Sequence, residues 1–73
     1  MKTMTEMPQD KVARLFMEHK GYPDIRPNEV EKVEGDACWY FYYDLHEGRV
    51  ELEVYYDFAL GRWECATTGF VAG

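Results

Sequence analysis

The chain has 73 residues, which can build one hydrophobic core but leave no room for a second. Its net charge of −6 at pH 7 argues against binding to nucleic acid or to an anionic membrane, because both depend on basic side chains. The acidity favours a basic protein partner instead, with solubility alone as the simpler explanation.

No stretch of the chain has the pattern of a targeting or cofactor-binding segment. No apolar run follows the charged residues near the start, and none approaches the roughly 20 residues of a membrane span. Two cysteines are too few for a disulfide framework, and no glycine loop is of the phosphate-binding type. We therefore predict a cytoplasmic protein without a cofactor.

A helix is predicted over residues 8–20. Apolar and amphipathic side chains recur there at intervals of three and four, at Val12, Leu15, Phe16 and His19. Pro8 suits the first helical turn, and Gly21 suits the position just after the helix ends. We expect this face of the helix to pack against the rest of the domain.

Three strands are predicted over residues 37–45, 49–57 and 62–70, because apolar and polar side chains alternate there. A further strand over 28–34 is harder to assign. Val30 and Val33 are three residues apart, so a regular strand cannot place both on one face. A bulge or a single helical turn would do so, and a short edge strand is favoured.

These elements predict one α+β domain over residues 1–73, with the helix on one face of a three- to four-stranded antiparallel meander. Pairing Leu45 with Val50, and Asp57 with Arg62, brings the apolar side chains of the last three strands onto one face. A slip of one residue in either hairpin would turn them to water, which favours this register.

The opposite face of this sheet is the predicted binding surface, because one helix cannot cover both faces. Three tyrosines lie at its centre with carboxylates around them: Tyr40, Tyr42, Tyr55, Glu51, Glu53 and Glu64. Tyrosine is enriched at protein interfaces, although it also forms strands well and tolerates half-exposure. We predict that these six residues bind a protein, either a basic partner or a second copy. Nucleic acid is disfavoured because glutamates stand where such surfaces carry basic side chains.

A second hypothesis concerns the end of the first hairpin, where Asp44 opposes Glu51 in this register and His46 is close by. Like charges opposite one another destabilise a sheet, and a divalent ion would relieve that repulsion. Neutralisation of the two carboxylates by Arg49 is the simpler explanation. The alternative function is therefore a metal- or ligand-binding protein that uses Asp44, His46 and Glu51.

Catalytic chemistry finds no support in the residue pattern. The chain has no serine, and Cys38 and His46 are eight residues apart on one strand, or roughly 26 Å. A nucleophile and its base must lie within hydrogen-bonding reach. Cys38 and Cys65 are expected on opposite faces of the sheet, which excludes a disulfide or a shared zinc site. We predict no catalytic residues and no enzymatic activity.

Overall fold

The computed structural model describes residues 6–33, 35 and 37–72. In this part of the chain, one helix is followed by four strands: α1 (Pro8–His19), β1 (Glu29–Val33), β2 (Cys38–Asp44), β3 (Gly48–Asp57) and β4 (Arg62–Ala72). The strands form one antiparallel sheet in the order β1-β2-β3-β4. The predicted α+β fold is therefore confirmed, with four strands; residue 34, the end of the predicted first strand, lies outside the described residues.

Helix α1 packs on the sheet through a face that is rotated from the predicted one. Its buried side chains recur every four residues, at Gln9, Ala13 and Met17. Val12 and Phe16 are half-buried beside this row, but Leu15 and His19 are exposed, so the prediction for those two is wrong. The small side chain of Ala13, at the centre of the face, lets the helix backbone approach the sheet closely.

Strand β1 is a regular edge strand and needs no bulge. Val30 opposes Phe41 on the α1 side of the sheet, whereas Val33 opposes Cys38 on the other side. The spacing of three between the two valines reflects two different faces, which the period of two in a strand requires.

The first hairpin is two residues out of the predicted register. Leu45 and Gly48 exchange both backbone hydrogen bonds (2.8 and 3.2 Å), so the turn contains two residues instead of four. Asp44 consequently pairs with Arg49, and Phe41 pairs with Leu52. A shift of two leaves every side chain on its predicted face, and it replaces a like-charge pair with an opposite-charge pair.

The second hairpin follows the predicted register from its turn as far as Leu52 and Thr67. A register shift then leaves Thr68 as an extra residue, and Glu51 pairs with Gly69. Such a bulge reverses the alternation of every residue beyond it. Unbroken alternation from Arg62 would put Phe70 on the face opposite α1, but Phe70 lies opposite Val50 on the α1 side.

The core lies between α1 and the sheet. Its fully buried strand residues are large and apolar or aromatic: Phe41, Tyr43, Leu52 and Val54. Helix α1 lies over β3 and β4, and the segment that follows it covers β2 through Tyr22 and Ile25. One face of the sheet is thus occupied by the helix and its connector, which determines where a binding surface can lie.

Candidate functional site

The outer face is the sheet face that points away from α1, and no element within the described residues covers it. The ladders, and for Thr68 a hydrogen bond to Glu51, place these side chains on it: Glu29, Glu31, Val33, Cys38, Tyr40, Tyr42, Asp44, Arg49, Glu51, Glu53, Tyr55, Asp57, Arg62, Glu64, Ala66, Thr68 and Val71. All six residues of the predicted binding surface are among them. The structure therefore brings them together, as the alternation of the strands predicts.

Glu53 is the central hydrogen-bond acceptor of the outer face. Its Oε2 accepts from the Tyr40 hydroxyl at 3.2 Å and from the Cys38 Sγ at 3.5 Å. The negative charge of Glu53, followed by burial and by this hydrogen bond, raises the pKa of Tyr40. The Tyr40 hydroxyl is thereby kept protonated and oriented toward the carboxylate.

Tyr42 is held between two strands by charged neighbours. Its hydroxyl donates to Glu31 Oε1 at 3.2 Å, and the Arg49 guanidinium lies 4.9 Å from its ring centre. Arg49 also forms an ion pair with Glu29 at 3.1 Å, so β3 is connected to β1 across the ring. Burial, followed by hydrogen bonding to Glu51 and Glu31, raises the pKa of Tyr42 to about 12. The ring is fixed in place, which lowers the entropy cost of using it in an interface.

Glu51 lies across the bulge in β4. The Thr68 hydroxyl donates to its Oε1 at 3.2 Å. A Cβ atom on Gly69 would stand 3.0 Å from the same oxygen, so glycine leaves the space that the carboxylate occupies. The bulge therefore positions a carboxylate at this end of the outer face.

Tyr55 differs from the other two central tyrosines. Its hydroxyl makes no hydrogen bond with another described residue, whereas those of Tyr40 and Tyr42 donate to glutamates. It lies between Cys38 and Glu64 in the ladders, and it is half-buried. Its hydroxyl is available to donate to an incoming group.

The outer face carries most of the net charge of the protein. Its carboxylates outnumber its guanidinium groups by seven to two, and both arginines are already ion-paired, with Glu29 and Glu64. Among the described residues, Glu31, Glu51 and Glu53 form no ion pair. The centre of the face therefore presents uncompensated negative charge beside aromatic rings.

The hairpin-end cluster is arranged differently from the metal hypothesis. Asp44 faces Arg49 instead of Glu51, and Glu51 faces Tyr42. The like-charge opposition that motivates a metal ion is therefore absent at this pair. Within the described part of the chain, no three His, Cys, Asp or Glu side chains are placed to hold a metal ion.

Cys38 and Cys65 lie on opposite faces of the sheet, as predicted. Cys38 is on the outer face beside Glu53, while Cys65 opposes Val54 on the α1 side. Burial raises the pKa of the Cys65 thiol to about 11. A thiol held in its protonated form is a poor nucleophile, which fits a packing role for Cys65.

A cavity of about 450 Å³, which the sequence does not predict, opens between α1, the connector and β2. Phe41 and Tyr43 form its floor, and Ile25 with two prolines forms a wall. Charged residues of both signs stand at its rim: Glu6, Asp10, Arg14, Asp24 and Arg26. Pro23, which lies in a turn of the connector, and Pro27 are the sequence signal that accompanies it.

Comparisons with protein-family models, with curated proteins and with solved structures found no match to this chain. Within the described residues, no helix has the length and apolar character needed to cross a membrane. The functional argument therefore depends on the geometry of the outer face.

Proposed function

We propose that this chain is a non-enzymatic interaction module whose outer face binds a basic protein surface. The observation that carries the proposal is an open sheet face with three tyrosines at its centre and seven carboxylates against two arginines. Aromatic rings with a polar tip supply contact area, and the surrounding charge selects a positive partner and speeds its approach.

The charge of the outer face determines which occupant it favours. A second copy docked face to face would bring two strongly acidic surfaces together, and such like-charge contacts cost several kcal/mol. A nucleic acid would meet the same repulsion. A partner rich in lysine and arginine instead supplies the cations that Glu31, Glu51 and Glu53 lack.

The size of the face suits a modest interface. Four strands about 4.8 Å apart, each contributing about seven residues of about 3.3 Å, span on the order of 400 Å² of flat surface. Standard interfaces bury about 800 Å² per partner, and weaker encounters bury less. We therefore expect affinity to depend strongly on charge and on salt concentration.

The first test neutralises the three carboxylates that lack an ion pair with the triple variant Glu31→Gln, Glu51→Gln, Glu53→Gln. Proteins captured from an extract of the source cells by the wild-type chain are identified, and the dissociation constant of each is measured at low and high salt. We expect the variant to bind at least about tenfold more weakly at low salt, because each lost charge contact contributes roughly 0.5–1 kcal/mol.

The matched control removes the same amount of charge elsewhere, with Glu18→Gln, Asp24→Asn and Glu47→Gln. Both variants have a net charge of −3, since three of the carboxylates behind the −6 are neutralised in each. The control is expected to bind within about threefold of the wild type, because its changes lie off the outer face. Equal weakening in the two variants would mean that overall charge, and not this face, attracts the partner.

A second prediction separates the aromatic contribution from the charge. Tyr55→Ser leaves the net charge unchanged and removes the ring whose hydroxyl is available on the outer face. We expect the same partner to bind about tenfold or more weakly, with the salt dependence retained, since a central tyrosine is a typical hot spot. Circular dichroism checks that the fold is kept. A folded Tyr55→Ser protein with wild-type affinity would remove the tyrosines from the proposed surface.

A further inference from the structure

The two edges of the sheet differ in how they are protected from other strands. Edge β1 has five residues, three of them charged, which is a common way to discourage pairing with another chain. Edge β4 has 11 residues, and its stretch Ala66–Ala72 contains no charge and no proline. Threonine, phenylalanine and valine in this stretch favour extended structure. The bulge at Thr68 interrupts this edge once, and another strand can join it on either side, at residues 66–67 and 69–72.

Exposed apolar side chains accompany this edge. Phe70 and Val71 are 53% and 70% exposed and lie on opposite faces of β4. The uncharged edge thus has apolar groups on both sides of it.

We propose that two copies of this chain form a two-fold dimer in which their Ala66–Ala72 segments pair antiparallel and extend the sheet across β4. Antiparallel pairing of one strand with its own copy satisfies two-fold symmetry, because each copy presents the same segment. The pairing gives partners to the outward-pointing backbone groups of β4 and buries Phe70 beside the seam.

Charge permits a second copy at this edge and opposes one on the outer face. Two chains of net charge −6 repel one another wherever their carboxylates meet. The Ala66–Ala72 segment has none, so two acidic copies approach there with less repulsion than at the outer face. An extended segment from a different protein is the competing occupant, and the experiment below distinguishes it.

This dimer would also enlarge the surface described above. A two-fold axis perpendicular to the sheet places both helices on one side and both outer faces on the other. The result is one continuous face of eight strands, about twice the area of a single copy. This consequence rests on the proposed function, whereas the dimer itself does not.

The experiment compares the wild-type chain with Phe70→Lys and with a control, Phe58→Lys. Phe58 is 79% exposed in the β3–β4 turn, and both substitutions change the net charge from −6 to −5. Sedimentation equilibrium from micromolar to millimolar concentration should give twice the 8.6 kDa chain mass for the wild type and for Phe58→Lys. Phe70→Lys should raise the dissociation constant at least about 100-fold, since each dimer buries the new charge twice.

Hydrogen exchange shows whether the β4 strands of the two copies are paired in the dimer. Outward-pointing amides of Ala66–Ala72 should be protected in the dimer and should exchange freely in Phe70→Lys. A wild-type chain that stays monomeric throughout, a dimer that leaves these amides unprotected, or a Phe70→Lys dimer as tight as the wild type would each overturn the proposal. Monomeric Phe70→Lys retains the outer face, so its binding to a basic partner tests the proposed function separately.

Discussion

Replacing Phe41 with alanine is expected to remove about 3–5 kcal/mol from the free energy of unfolding, a large part of the stability of a domain of this size. Phe41 is 2% exposed and lies between Val30 and Leu52 in the ladders. A chain of this length has a total stability of roughly 4–11 kcal/mol, so the cavity removes at least about a quarter of it.

The control for this substitution is Phe58→Ala, which removes the same side chain from a turn. Phe58 is 79% exposed and touches Tyr56 edge-on, with ring centres 5.0 Å apart, so we expect a loss below about 1 kcal/mol. Urea unfolding followed by circular dichroism gives both values. Similar losses in the two variants would contradict the assignment of Phe41 to the core and, with it, the identity of the outer face.

Alternation of side chains predicts the faces of this sheet well but leaves its pairing undetermined. A shift of two residues keeps Tyr40, Tyr42 and Tyr55 on the outer face, so hydrophobicity alone cannot choose between the two registers. The distinguishing signal is electrostatic. The observed register pairs Asp44 with Arg49, whereas the predicted one opposes Asp44 to Glu51.

The bulge in β4 is harder to predict from the sequence than the register of the first hairpin. Thr67, Thr68 and Gly69 show little contrast in polarity, so no alternation fixes which of them faces the core. Gly69 is the nearest signal, because glycine inside a strand often marks a bulge or a close approach. Its actual neighbour is the side chain of Glu51, which no local pattern identifies.

The predicted helix face is wrong because the size of a side chain, and not its hydrophobicity, decides which residue meets the sheet. Leu15 is a stronger apolar signal than Ala13, yet Ala13 is 1% exposed and Leu15 is 44% exposed. Close approach of a helix to a sheet selects a small residue at the point of contact, and hydrophobicity does not measure that. The same rotation turns Leu15 toward solvent.

Alkaline solution is expected to destabilise the protein through Tyr43 and Cys65, which are packed inside the fold. Burial raises the pKa of Tyr43 to about 12 and that of Cys65 to about 11, against 10.0 and 9.0 in the unfolded chain. A raised pKa means that the folded state retains a proton which the unfolded state has released. The corresponding stability is complete below pH 9 and is lost as the pH rises through 11 for the thiol and 12 for the phenol.

The size of this effect is testable with Tyr43→Phe, which keeps the ring and removes the titrating group. The pKa of Tyr43 is higher by about two in the folded than in the unfolded state, which corresponds to roughly 3 kcal/mol. The free energy of unfolding of the wild type should therefore fall by about that amount between pH 10 and 12 because of Tyr43. Urea unfolding at a series of pH values should give a shallower fall for Tyr43→Phe, with Cys65→Ala delaying the onset from pH 9 toward pH 10. At pH 7 both groups are protonated in the folded and unfolded states. A difference in the free energy of unfolding between a variant and the wild type at that pH therefore reports lost packing and not titration. Parallel curves for the wild type and Tyr43→Phe between pH 10 and 12 would show that the Tyr43 hydroxyl is not desolvated, and would place the α1 side of β2 in contact with water.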